Sequence, residues 1–139
     1  MKVNTVGYYK EMSEVKADAN SIFDYIHKEE PENIEKICKY LDSGVALIVV
    51  PGVTEDVISP EKGNAGVASE YTDGTWLWRG DLSYYVRNYR LKLPDEFIDT
   101  MRKNNWMVPI SSDNLDSDSL EIDGIKVYLV ELKVMKGGD

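Results

Sequence analysis

The sequence predicts an α+β fold, in which one domain over residues 1–139 holds a mostly antiparallel sheet with three or four helices packed mainly on one face. Its length lies in the range of about 100–150 residues that is usual for one domain. The apolar run Val45–Val50 lacks alternation and is typical of a strand covered on both faces, so we expect it inside the sheet. Asp73-Gly74 is a turn signal that predicts a hairpin between Ala68–Tyr71 and Thr75–Trp78.

Besides Val45–Val50, the first half of the chain is expected to hold two short strands and two helices. Val3–Tyr9 allows the strand, and Ile22–Ile26 follows a polar loop as a short helix. A longer helix is predicted over Pro31–Ser43, because apolar residues recur there at three- and four-residue spacing. Gly44 is expected to end that helix in a left-handed conformation. A further short strand is predicted at Asp56–Ile58, before a loop over Glu61–Gly66.

The second half carries two helical patterns and a terminal strand pair. Asp81 is expected to cap a helix that ends near Tyr89 and buries a stripe of four residues, Leu82, Tyr85, Val86 and Tyr89. A second helix is predicted from Pro94, with acidic residues in its first turn and basic residues in its last. Ile125–Val134 is predicted to pair with Leu120–Ile122, and residues 136–139 to fray.

Charge and composition exclude several classes of partner. The formal net charge is -9, which argues against nucleic acid and against an anionic membrane surface. An acidic surface keeps a protein soluble, and it can also steer a basic protein partner by long-range attraction. The longest aliphatic run is far shorter than the roughly 20 residues needed to cross a bilayer, and the first residues lack the apolar core of a signal peptide. The single cysteine forms no intramolecular disulfide, so we expect a cytoplasmic protein.

Candidates for catalysis and metal binding are weak. A nucleophile–base pair would have to use His27 and Cys38, and a buried structural cysteine is the commoner role. In the acidic segment Ser111–Gly124, Asp116, Asp118 and Glu121 begin like a calcium loop, and Asp113 lies just before them. It lacks the glycine and the final glutamate of an EF-hand, so we expect a solvated acidic loop that faces a partner. The sequence therefore predicts no catalytic set, no metal site and no cofactor.

The stretch Tyr71–Trp106 contains all three tryptophans and all four arginines of the chain. Interfaces are enriched in Trp, Tyr and Arg, although such aromatic residues more often form the core. The residues that the helical and strand patterns leave outside the core form a predicted binding patch, made of Trp78, Arg79, Tyr84 and Arg87.

The same stretch carries a recognisable pattern. Thr72-Asp73-Gly74, Trp76, Trp78, Asp81-Leu82, Tyr84-Tyr85-Val86, Tyr89, Leu93-Pro94 and Glu96-Phe97 spell TDGxWxWxxDLxYYVxxYxxxLPxEF. With Asp56-Val57 and Pro60 before it, this pattern resembles a family of small, uncharacterised bacterial proteins over the part of the chain from Gly44 to Trp106. The resemblance implies a bacterial protein and assigns no chemistry. In size and acidity the chain is also similar to immunity proteins that neutralise bacterial toxins.

Three functions follow as hypotheses. The first is a non-enzymatic protein-binding module of a bacterium, of the kind that inhibits a toxin. The second is a small-molecule or anion-binding domain, with or without enzymatic activity, that uses Trp78, Arg79 and Arg87. The third is a structural component of an assembly, and the oligomeric state stays open.

Overall fold

The structure, a computed structural model, describes residues 1–13, 15–115 and 119–127. Within these residues the chain forms eight strands and three α-helices. In order they are β1 (Lys2–Thr5), α1 (Ile34–Asp42), β2 (Val45–Ile48), β3 (Val53–Glu55), β4 (Asn64–Val67), β5 (Glu70–Thr72), β6 (Trp76–Arg79), α2 (Leu82–Tyr89), α3 (Asp95–Lys103), β7 (Leu120–Ile122) and β8 (Ile125–Val127). The predicted α+β class is confirmed.

Six of the strands form one sheet in the order β2-β5-β6-β1-β7-β8, and β3 pairs with β4 in a separate two-stranded ribbon. The strand β1 is parallel to both of its neighbours, β6 and β7. The other pairings in the sheet are antiparallel, so the mostly antiparallel prediction is confirmed. Packing of the helices mainly on one face stays a prediction.

The predicted position of Val45–Val50 inside the sheet is wrong. The strand β2 lies at one edge of the described sheet and pairs there with β5. Leu47 is buried, whereas Ala46 is exposed and Val49 is 73% exposed. An unbroken apolar run therefore does not by itself indicate that a strand is buried on both faces.

The predicted hairpin is present as β5 and β6, and Gly74 in its turn has a φ of 97°. Trp76 and Trp78 lie on the same face of β6, since the ring centroid of each lies 5.4 Å from that of Phe97. Leu77 points to the other face, into a smaller apolar cluster. The alternation predicted for this strand is confirmed.

The helices α1, α2 and α3 begin and end close to their predicted limits, but the reason for Gly44 differs from the prediction. Its φ is not positive. A Cβ at this position would lie 2.5 Å from Cζ2 of Trp78. The glycine therefore lets the indole pack against the end of α1, where Trp78 Nε1 donates to the Leu41 carbonyl at 3.3 Å.

The region between β2 and β5 differs most from the prediction. The strand expected at Asp56–Ile58 lies earlier, as β3, and part of the expected loop Glu61–Gly66 is β4. The Asp56 carboxylate accepts hydrogen bonds from the backbone N–H groups of Ile58 and Ser59, both at 2.8 Å, which turns the chain out of the strand.

The predicted pairing through Asp123-Gly124 is confirmed as β7 and β8. Most of the longer strand expected over Ile125–Val134, and the tail at residues 136–139, lie outside the described residues. No helix in the described ranges combines the length and apolar character needed to cross a membrane.

Candidate functional site

Two residues of the predicted binding patch have structural partners. Trp78 is only 1% exposed and belongs to the main core, so it does not contribute to an exposed patch. The Arg79 guanidinium donates to both carboxylate oxygens of Asp81, at 3.1 and 2.9 Å. Asp81 is fully buried and accepts from Thr54 Oγ1 at 2.7 Å, and it makes no capping hydrogen bond to α2, contrary to the prediction. Trp78 and Arg79 line one small cavity of ≈ 150 Å³.

The other two residues of that patch point to different partners. The Tyr84 hydroxyl donates to Asp56 at 2.8 Å. The exposed Arg87 forms ion pairs with Glu35 at 3.0 Å and with Asp42 at 4.0 Å. The structure therefore places the four side chains in three separate environments.

Asp56 is the centre of a buried polar cluster between α2 and the turn after β3. Its Oδ2 accepts from the hydroxyls of Tyr84 and Tyr89, at 2.8 and 2.5 Å, and the carboxylate is 1% exposed. Burial alone would raise the pKa of Asp56, but hydrogen bonds from Tyr89, Ser59, Tyr84 and Ile58 hold it below its ordinary value. The same bond to Asp56, followed by burial, raises the pKa of Tyr84 to about 12. The cluster thus fixes the 56–59 turn on α2.

The acidic segment is only partly described. Asp113 is exposed in a short 3₁₀ turn, and Glu121 on β7 lies 3.9 Å from Lys2. Asp116 and Asp118 lie outside the described residues. Within the described ranges, no group of three or more His, Cys, Asp or Glu side chains is placed to hold a metal ion.

The two residues of the candidate catalytic pair, His27 and Cys38, lie in different environments, one exposed and one buried. His27 is exposed, with its ring centroid 6.4 Å from that of Tyr89. Cys38 is fully buried, and its Sγ contacts the Ser83 carbonyl at 3.5 Å. Burial raises the pKa of Cys38 to about 11, so the thiol stays protonated and weakly nucleophilic at neutral pH.

A cleft of ≈ 450 Å³ opens where the chain leaves β1 and meets the segment before α3. We call it the aromatic cleft, because its walls carry Tyr8, Tyr9, Tyr25 and Trp76, with Lys92 and Asp95 as its charged residues. None of these six belongs to the predicted patch or to the acidic loop.

Local backbone geometry places the walls of the aromatic cleft. Gly7, with a φ of 83°, turns the chain after β1, and a Cβ there would lie 2.7 Å from the Leu82 side chain. This turn directs the tyrosine pair Tyr8-Tyr9 along the cleft. The Lys92 backbone N–H donates to the Tyr25 carbonyl at 2.9 Å, which joins two segments of the cleft wall that are distant in sequence.

Hydrogen bonds hold two of the aromatic walls in place. The Tyr8 hydroxyl donates to Glu70 Oε1 at 2.9 Å, and Trp76 Nε1 donates to Thr100 Oγ1 at 2.9 Å. Burial, followed by the nearby charge of Glu70, raises the pKa of Tyr8 well above its ordinary value. Tyr8 and Trp76 are therefore fixed, neutral surfaces.

Comparisons of the chain with family models, with curated proteins and with solved structures gave no match. The resemblance to small bacterial proteins accordingly stays a prediction.

Sequence reasoning missed the aromatic cleft because its walls come from separate parts of the chain. No single helical or strand pattern contains Tyr8, Tyr25, Trp76 and Lys92 together, and the helical pattern predicts Asp95 only as an acidic residue in the first turn of a helix. The available signal was the doubled tyrosine after Gly7, at the end of a predicted strand, where a turn exposes side chains beside a sheet.

Proposed function

We propose that this protein is a ligand-binding domain that takes a small organic molecule in the aromatic cleft. The observation that carries the proposal is a cleft of ≈ 450 Å³ with four aromatic side chains and one ion pair in its walls. Small-molecule sites typically have volumes of about 300–1,000 Å³ and combine mostly apolar walls with a few placed polar groups.

The rigidity of the walls also supports binding. Tyr8 and Trp76 are already held by Glu70 and Thr100, so a ligand would meet side chains whose rotamers are fixed. Ordering a mobile side chain at an interface costs about 0.5–1.5 kcal/mol. A cleft that is formed in advance avoids most of that cost.

The hypothesis of a protein-binding, immunity-type module stays a prediction. A bacterial source and a cytoplasmic location also stay predictions. The support for the protein-binding hypothesis is the net charge of -9 together with exposed carboxylates such as Asp113. The aromatic cleft favours the small-molecule hypothesis instead, although at different residues from Trp78, Arg79 and Arg87.

The test is a fragment titration followed by ¹H–¹⁵N NMR, using uncharged, water-soluble aromatic fragments. We expect chemical-shift changes centred on Tyr8, Tyr25 and Lys92. Asn20 is exposed at the rim, so Asn20→Trp should block the cleft and abolish these changes. Ala17→Trp adds the same ring at an exposed position that does not line the cleft, and should leave them intact.

Two results would contradict the proposal. One is a fragment set that shifts no cleft resonance. The other is a set of shifts that is equal in the Asn20→Trp and Ala17→Trp variants. A basic protein that moves the resonances of Asp113 and Glu121 while the cleft stays silent would favour the protein-binding hypothesis.

A further inference from the structure

Two tyrosine hydroxyls in the aromatic cleft have no partner in the described protein. Tyr9 is 6% exposed, yet none of the described residues accepts a hydrogen bond from its hydroxyl, and the same holds for the hydroxyl of Tyr25. Every fully buried side-chain N or O atom in the described ranges does have a partner. Each of the two hydroxyls therefore keeps some accessible surface, and both residues line the cleft.

The two phenols act as neighbouring donors. Their ring centroids are 5.8 Å apart. Burial, and then the adjacent Tyr25, raises the pKa of Tyr9 well above its ordinary value, so its hydroxyl stays protonated at neutral pH. A ligand that displaces water from the cleft has to accept hydrogen bonds from both phenols, because an unpaired buried hydroxyl is costly.

Lys92, the cation in the wall of the cleft, already faces two carboxylates. Lys92 Nζ lies 3.7 Å from Glu29 Oε1 and 3.8 Å from Asp95 Oδ1. The Glu29 side chain is 3% exposed, and its carboxylate is compensated by this ammonium together with hydrogen bonds from the Glu30 backbone N–H and the Asn33 side-chain amide. No excess positive charge is left for an anionic ligand, and a protein of net charge -9 repels one at long range.

The walls favour a flat molecule. Trp76 adds an aromatic surface, and Leu93 and Pro94 add apolar contact beside it. Aromatic walls stack on planar rings, and such stacking tolerates different ring types.

From these three features we infer that the aromatic cleft binds an uncharged, planar heteroaromatic molecule whose edge accepts hydrogen bonds from Tyr9 and Tyr25. Free nucleobases and nucleosides have this chemistry, since they are flat and neutral and carry carbonyl oxygens and ring nitrogens. Their phosphorylated forms and nucleic acids do not, because of their charge. The inference rests on the proposed ligand-binding function and names the ligand class for it.

The test compares three kinds of probe by isothermal titration calorimetry on the full chain. Uridine and inosine represent the neutral class, their 5′-monophosphates add charge, and toluene is a flat ring without acceptors. We expect each nucleoside to bind at least about tenfold more tightly than its monophosphate, since a dianion meets no unpaired cation.

Variants then test the two hydroxyls. Tyr9→Phe and Tyr25→Phe each remove a hydroxyl that has no protein partner, so the fold should be unaffected. Each should weaken nucleoside binding about fivefold, which corresponds to one hydrogen bond, and leave toluene binding unchanged. Tyr71→Phe is the matched control, because this half-buried tyrosine also has a hydroxyl without a partner in the described ranges but does not line the cleft.

The outcomes separate the ligand class from the proposed function. Toluene binding without nucleoside binding would overturn the ligand class and leave the binding function standing. The charge argument would be overturned if the monophosphates bound as tightly as the nucleosides. The role of the hydroxyls would be overturned if nucleosides bound equally tightly to Tyr9→Phe, Tyr25→Phe and the parent protein. Failure of every probe, together with the aromatic fragments above, would overturn both.

Discussion

Replacing Asp56 with alanine is expected to lower the free energy of unfolding by about 3 kcal/mol, although Asp56 lies outside the aromatic cleft. The carboxylate accepts four hydrogen bonds, two from backbone N–H groups and two from the hydroxyls of Tyr84 and Tyr89. The substitution removes the acceptor and leaves all four donors behind.

The magnitude follows from the burial of those donors. A hydrogen bond to a charged group contributes about 1.5 kcal/mol, so four bonds give about 6 kcal/mol. Tyr84 and the backbone of Ile58 and Ser59 are only partly buried, so water can satisfy them after the substitution and offset about half of that sum. Tyr89 is 5% exposed, and its hydroxyl carries the remaining penalty.

The assay is urea unfolding at pH 7, followed by tryptophan fluorescence. Asp113→Ala removes an exposed carboxylate and serves as the control, with an expected change below about 0.5 kcal/mol. The folded pKa of Asp56 lies below its ordinary value of 3.8, so its carboxylate stabilises the fold above about pH 4 and that contribution is lost as the pH falls further. A loss for Asp56→Ala under about 1 kcal/mol at pH 7, or a loss that persists undiminished in acid, would refute this reasoning.

Two further substitutions test the core and its buried ion pair by the same urea assay. Gly44→Ala should cost about 1–3 kcal/mol because the new methyl group would lie 2.5 Å from Cζ2 of Trp78, and a neutral result would show that the indole can move aside. Asp81→Asn should cost about 3 kcal/mol, since it leaves the Arg79 guanidinium, whose side chain is 13% exposed, without its counter-charge. Asp99→Asn, which breaks an exposed surface pair, is the matched control and should change stability by less than about 0.5 kcal/mol.

Short-range patterns predicted the local structure well. The buried stripe of α2, the apolar face of α3 and the hairpin of β5 and β6 all follow from residue spacing within a few turns or strand positions. Each of these elements buries one face, so the spacing of its apolar residues indicates directly which face is buried.

Long-range relations were not predictable from the same patterns. The edge position of β2 and the central position of β1 depend on which strands pair, and no local spacing encodes that choice. The predicted binding patch shows the same limit. A cluster of Trp, Tyr and Arg residues close in sequence can form either a core or an interface, and composition alone does not distinguish the two. Trp78 is buried in the core, whereas the aromatic cleft brings Tyr9 and Tyr25 together with Trp76, which lies far from them in the sequence.

The position of β1 in the sheet has a consequence for how the protein folds during synthesis. The strand near the start of the chain lies between β6 and β7, and Val3 is the register partner of Ile122. A ribosome therefore has to release nearly the whole described chain before β1 can gain its second neighbour, and such sequence-distant contacts slow folding. Until then β1 presents one unpaired edge, so a nascent chain halted before β7 should be prone to aggregate and to depend on chaperones.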